Sequence, residues 1–211
     1  LMPYMTAALE LLAAGQKPRH IDGALMAFGM PMGPIELADY VGLDICLEVG
    51  RYLEKTLGDR FALPAFVPTM VERGYLGRKC EKGGFYRYER GRIAGINEAI
   101  ARLVGASFSE KPREFDANID LEDAAPMEDA AIQDRCLLPM LVEALGCLKE
   151  GIVKEPSHLD AAFVFGIGFP PFRGGLLRHF ASVPREQLIQ RIEALGLEAP
   201  TNLKVLDAFA D

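Results

Sequence analysis

The second half of this chain restates the first. Leu1-Met2-Pro3 returns as Leu137-Leu138-Pro139, Ala8-Leu9 as Ala144-Leu145, and Leu12 and Gly15 as Leu148 and Gly151, all at an offset of 136. After a short insertion, Pro18-Arg19-His20-Ile21-Asp22 matches Pro156-Ser157-His158-Leu159-Asp160, and Gly29-Met30-Pro31 matches Gly168-Phe169-Pro170. Similarity between two apolar helices arises easily by chance, but proline, glycine and aspartate recurring in the same order does not. An apolar unit of this size cannot hide its own exposed face, so two copies are expected to pack on each other about a pseudo-twofold axis. The organisation read from the sequence is a first repeat over 1–104, a linker over 105–126 and a second repeat over 127–211.

Helical periodicity fills both copies. Leu1 to Ala14 places Met2, Met5, Leu9 and Leu12 on one face and stops at Gly15. Asp22 to Phe28 reads as a second helix. Pro34 to Tyr40 reads as a third, with proline in the first turn where its missing N–H costs nothing. Asp44 opens a longer helix through Leu57, and Ala65 to Gly74 is a further one that tolerates Pro68 near its start. Phe85 to Tyr88 is the one convincing strand-like stretch, and Gly105 to Pro126 is charged and poor in large apolar residues. The fold class expected is therefore all-α, two tandem helical repeats with one short strand-like segment.

Composition narrows the function. The net charge of −7 opposes binding to nucleic acid. The longest uncharged runs, Gly23 to Ile35 and Ala161 to Phe172, contain prolines and fall short of the roughly 18 residues of a membrane span. Cys46, Cys80, Cys136 and Cys147 have no CxxC spacing, and with three histidines they form no metal-site pattern. Cys136 and Cys147 sit about three helical turns apart, too far for a disulfide, and a reducing compartment fits this usage. The opening Leu1-Met2-Pro3-Tyr4 reads as the start of a piece of a longer protein.

The most informative stretch is Phe28-Gly29-Met30-Pro31-Met32-Gly33-Pro34-Ile35-Glu36-Leu37-Ala38-Asp39-Tyr40-Val41-Gly42-Leu43-Asp44: helix, tight apolar turn, short helix, glycine stop, new helix. Small residues in the turn let another backbone or a ligand come close. This stretch closely resembles the C-terminal domain of the 3-hydroxyacyl-CoA dehydrogenases. Gly84-Phe85-Tyr86-Arg87-Tyr88 resembles that family's GFY-x-Y strand, and Gly168-Phe169-Pro170-Pro171-Phe172-Arg173-Gly174-Gly175 the matching element of a second copy, as in multifunctional fatty-acid oxidation α subunits. The resemblance covers nearly the whole chain. It implies NAD-dependent oxidation of (S)-3-hydroxyacyl-CoA in fatty-acid β-oxidation, with a histidine as general base, a glutamate orienting it, and hydride passing to the nicotinamide.

Those catalytic residues, and the NAD site, belong in the family to an N-terminal Rossmann domain. Gly166-Ile167-Gly168 lacks the preceding strand, the third glycine and the downstream acid, and reads as a helix-end turn. The chain by itself is thus expected to carry no catalytic residue, cofactor site or metal site, and to be inactive. The resemblance implies as partners an acyl-CoA substrate, the Rossmann domain, a preceding enoyl-CoA hydratase domain and, as a further candidate, a thiolase subunit. Pro31, Met32, Gly33, Pro34 and Leu37 are the expected substrate-binding residues, lining the acyl side of the cleft. Plain packing between helices is the competing role for each. In the second copy Val142 stands beside Glu143 where relatives often carry asparagine.

The remaining polar residues read as structural. His20 and His158 precede Asp22 and Asp160, where helix first-turn chemistry suffices, and Ser157 with Asp160 forms an S-x-x-D capping pattern. Asp39 and Asp44 read as capping groups, and His179 has no partner that would make it a catalyst. Arg78-Lys79-Cys80-Glu81-Lys82 is a solvated turn in preference to a coenzyme A phosphate site. Arg173, on a rigid turn, suits a bidentate anchor for a carboxylate between the copies in preference to a ligand phosphate. A non-catalytic helical scaffold or dimerisation module is the alternative function. The fragment is expected to be a cytoplasmic monomer, its apolar faces being spent within one chain.

Overall fold

The computed structural model describes residues 1–107 and 127–209. The first copy runs α1 (Met2–Ala13), α2 (Pro18–Phe28), α3 (Pro34–Val41), α4 (Leu43–Leu57) and α5 (Phe66–Glu72), then a hairpin of β1 (Tyr86–Glu89) and β2 (Arg92–Ile96), then α6 (Glu98–Ser107). The second runs α7 (Asp129–Lys149), α8 (Pro156–Ile167), α9 (Leu176–Ala181) and α10 (Arg185–Ala194), with a closing 3-10 segment at Leu203–Phe209. The protein is all-α with one small antiparallel sheet. From 108 onward the linker predicted over 105–126 lies outside the described residues, and α6 extends through 105–107.

α1 and α7 lie against each other at the centre. Tyr4, Met5, Ala8, Leu9, Leu11 and Leu12 of α1 and Ile132, Cys136, Leu138, Leu141 and Leu145 of α7 belong to one continuous buried core. Met2 and Leu148 are only partly buried at its margin. The pair is antiparallel: the Leu1 amino group senses Cys147 and Glu143, while Glu10 senses Arg135. α7 is 21 residues long against 12 for α1, the extra turns lying at its N-terminal end.

The helix boundaries follow from glycine and proline. α2 and α8 both begin with proline in their first turn and both end on a left-handed glycine, Gly29 (φ 117°) and Gly168 (φ 71°), a conformation that other residues adopt at a cost. Gly166-Ile167-Gly168 is thus the end of a helix. α2 starts four residues before the predicted Asp22, because Pro18 can open a helix.

The strand-like segment is half of a hairpin. Arg90 (φ 49°) and Gly91 (φ 76°) both have positive φ, the requirement of a two-residue turn whose twist matches its strands. β2 pairs with β1 from Glu89↔Arg92 to Tyr86↔Ile96, with an irregularity between Arg87 and Tyr88.

Candidate functional site

The turn carrying Pro31 to Pro34 is held by a buried carboxylate. Asp22, 6% exposed, accepts from the Ile35 amide at 2.8 Å through Oδ1, and from the Glu36 amide at 3.1 Å and the Tyr86 hydroxyl at 2.6 Å through Oδ2. The two amides are free donors at the start of α3, where a negative charge is also favoured by the helix dipole. Gly33 is obligatory here, because a Cβ on it would collide with the Asp22 carboxyl group. Burial pushes Asp22 up to about 6, against the pull of its three donors.

Asp39 does the same for the hairpin. Fully buried, it accepts from the Phe85 and Tyr86 amides at 2.9 Å each and from the Tyr88 hydroxyl at 3.1 Å. Tyr86 therefore joins both carboxylates, its amide on Asp39 and its hydroxyl on Asp22, and the GFY-x-Y segment is a clamp between sheet and helices. Burial pushes Asp39 up to about 7. Asp39 is not a helix cap. Asp44 does lie in the first turn of α4, where its carboxylate takes first-turn amides and pairs with Lys79 at 2.5 Å.

The second copy repeats the first device. Asp160 accepts from the Leu177 amide at 2.7 Å and the Arg178 amide at 3.0 Å, the first turn of α9. A Cβ on Gly175 would meet its carboxyl group, as one on Gly33 would meet Asp22. The S-x-x-D pattern does not close on its own helix: α8 has no side-chain cap, and Asp160 reaches across to the next helix. Burial raises Asp160 as well.

The two apolar turns stack on each other. A Cβ on Gly29 would stand 2.9 Å from Pro170 Cγ, and one on Gly168 would stand 2.8 Å from Pro31 Cγ. Each glycine meets the proline of the other copy, the reciprocity of a local twofold. Arg173 joins them, donating from Nε to the Phe28 carbonyl at 2.8 Å with its guanidinium 3.9 Å from the Phe28 ring centre. It spans the copies as expected, but on a carbonyl and a ring in place of a carboxylate.

Of the five expected substrate residues, Gly33 and Pro34 are buried, Met32 and Leu37 half-buried and Pro31 exposed. Pro31, Met32 and Leu37 are thus the ones with surface to offer, while Gly33 and Pro34 shape the backbone. The histidines do not join them. His20 meets Asp129 of α7 at 3.1 Å, His158 is exposed, and His179 sits edge-on against Phe28 and Phe180, where burial pulls it down to about 4. Lys82 donates to the Arg73 carbonyl and Arg78 covers the Tyr40 ring, so the basic loop is engaged within the fold. Glu143 pairs with Arg60 at 2.6 Å. Among the described residues no group of three or more His, Cys, Asp and Glu is placed to hold a metal ion, and no helix is long and apolar enough to cross a membrane.

Fold and turn together define an all-α domain whose turns are held by buried carboxylates. Residues 1–88 match the family model of the 3-hydroxyacyl-CoA dehydrogenase C-terminal domain. The chain is homologous to fatty acid oxidation complex α subunits. That of Idiomarina loihiensis is 40% identical over 202 residues, covering 94% of this chain and 26% of the relative. That of Shewanella amazonensis is 37% identical over 192 residues, 90% of this chain and 25% of the relative. The chain spans about a quarter of the length of these curated relatives. The dehydrogenase part of multifunctional enzyme 1 from C. elegans shares the fold, with a TM-score of 0.56 at 24% identity over 92% of this chain and 45% of that one.

Proposed function

We propose that this chain supplies the substrate cleft and domain packing of an NAD-dependent (S)-3-hydroxyacyl-CoA dehydrogenase of fatty-acid β-oxidation. The observation that carries the reading is that both repeats, and not the first alone, fall within the match to the fatty acid oxidation complex α subunits. A Rossmann domain of the parent would hold NAD, whose nicotinamide would take the hydride from C3 of the substrate, while a histidine of that domain would accept the hydroxyl proton. This chain shapes the acyl side of the cleft with Pro31, Met32 and Leu37 on a backbone fixed by Gly33 and Pro34. An enoyl-CoA hydratase domain, a thiolase subunit as a further partner, and a cytoplasmic setting complete the reading, the last in keeping with four free cysteines.

Kinetics of the parent enzyme test it. Met32→Arg is expected to raise KM or lower kcat for long acyl chains with NADH absorbance as the readout, and the purified 211-residue chain alone is expected to give no turnover. Unchanged kinetics at every chain length would reduce the turn to packing. That second reading has its own support, since Pro31 already lies against Gly168.

A further inference from the structure

A cleft opens where α1 hands over to α2, against the hairpin and α6. It measures about 290 Å³ and is walled by Leu12, Phe85, Ile96, Ile100 and Val104. Protein interiors are packed closely enough that gaps much larger than a water molecule are few, so one of this size has a local cause. Gly15, Pro18 and Ala101, which complete the apolar lining, supply it. Gly15, at φ 86°, turns the chain out of α1 without offering a side chain, Pro18 is short, and Ala101 contributes a single methyl group from α6. Phe85 does not fill the space either, because its ring is buried edge-on against Phe66 at 6.1 Å.

Such walls suit an apolar occupant better than water, which needs two to four polar partners to stay. The polar lining consists of Gln16 and Lys17. Gln16 is buried and accepts from the Met127 amide at 3.2 Å. Lys17 is exposed at the edge of the cleft. Arg60, Lys79, Arg185 and Arg191 each hold an acid, but Lys17 forms no ion pair among the described residues. Apolar walls with one ammonium at the rim select an amphiphile, its body desolvated and its anionic end on the lysine. An apolar cavity of about 150 Å³ accepts a benzene ring, so this cleft has room for about twelve non-hydrogen atoms.

We propose that the cleft binds a medium-chain carboxylate, with the alkyl chain between Leu12, Phe85 and Val104 and the carboxylate on Lys17. The cleft lies at the N-terminal end of α2, whereas Pro31 follows its C-terminal end, about 15 Å away along the helix. The proposal thus goes beyond the reading of Pro31, Met32 and Leu37 as an acyl wall and stands or falls without it.

Calorimetric titration of the 211-residue chain at pH 7 with hexanoate, octanoate, decanoate and dodecanoate tests it, with octanol as the uncharged control. Octanoate is expected to bind one to one with Kd of about 0.1–1 mM. Each methylene buried should tighten binding about fourfold up to decanoate, and dodecanoate should match decanoate within about twofold because the cleft is then full. Lys17→Glu, at an exposed position, should weaken octanoate at least about threefold and leave octanol unchanged. Ala101→Trp, which fills the cleft from α6, should weaken both at least about tenfold, with circular dichroism unchanged. Octanoate that does not bind overturns the proposal, whether the cleft stays empty or residues 108–126 of the chain fill it. Affinity that keeps rising fourfold per methylene through dodecanoate overturns it as well, since the chains would then be meeting an open surface. So does octanoate binding that Lys17→Glu leaves intact, a result that holds even if Ala101→Trp fails to fold.

Discussion

Removing the Asp39 side chain should make the protein's stability respond to pH in a different way. Asp39 holds two amides and a tyrosine hydroxyl, and burial raises it from 3.8 to about 7. An acid raised on folding binds its proton more tightly in the native state, so its protonation stabilises the fold as pH falls from its folded value toward its unfolded one, and that gain is lost as pH rises through about 7. Linkage between these two values gives about 2–3 kcal/mol of extra stability at pH 5 over pH 8. Asp39→Ala abolishes that contribution and strands the Phe85 and Tyr86 amides, at about 1–3 kcal/mol for each buried donor. Urea denaturation of wild type and variant at pH 5, 6, 7 and 8 is the assay. The variant should be less stable throughout, and the difference should widen by about 2–3 kcal/mol from pH 8 to pH 5. A difference that narrows toward pH 5 would show that the three hydrogen bonds outweigh burial and hold Asp39 below its ordinary value, which would refute the reasoning.

Three further outcomes follow from the packing. Gly33→Ala and Gly175→Ala each drive a methyl group into a buried carboxyl group, and each should cost about 2–4 kcal/mol in thermal or urea unfolding, Gly175→Ala the more because φ there is 121°. Tyr4 is fully buried and its hydroxyl has no hydrogen-bond partner among the described residues, so Tyr4→Phe should hold or raise stability by up to about 1 kcal/mol in the same assays. With α1 and α7 spent on each other, light scattering should report a mass near 23.1 kDa at every concentration, and a stable dimer would show that the copies leave an associating face open.

Helices were legible where their punctuation was read locally: Pro34 opens a helix, and Gly15, Gly29 and Gly168 close them, whereas Pro18 and Pro156 also open helices and were passed over for the acids that follow them. The site was harder. Asp22, Asp39 and Asp160 look like first-turn or capping acids along the chain, but their partners lie 13 to 64 residues away, and a one-dimensional pattern does not show which donors a carboxylate will reach. A signal was present in the repeat, since Asp22 precedes Gly33-Pro34 as Asp160 precedes Gly175-Leu176, each glycine standing where a helix begins. β2 went unread because Arg92-Ile93-Ala94-Gly95-Ile96 is short and broken by glycine, and its turn places an arginine at positive φ.

The contact between α1 and α7 joins residues about 136 positions apart. During synthesis at about 5–20 residues per second, Met5, Leu9 and Leu12 are therefore made about 7–27 seconds before the helix that buries them. Throughout that interval the nascent first copy presents the apolar stripe that, in a two-chain assembly, would seek another molecule. Fusing the copies fixes the eventual partner in the same polypeptide but makes it late, so the hazard passes from the concentration of finished protein to the pace of translation. Slowing elongation between codons 15 and 137 should thus raise aggregation of this chain without altering any residue of its folded form.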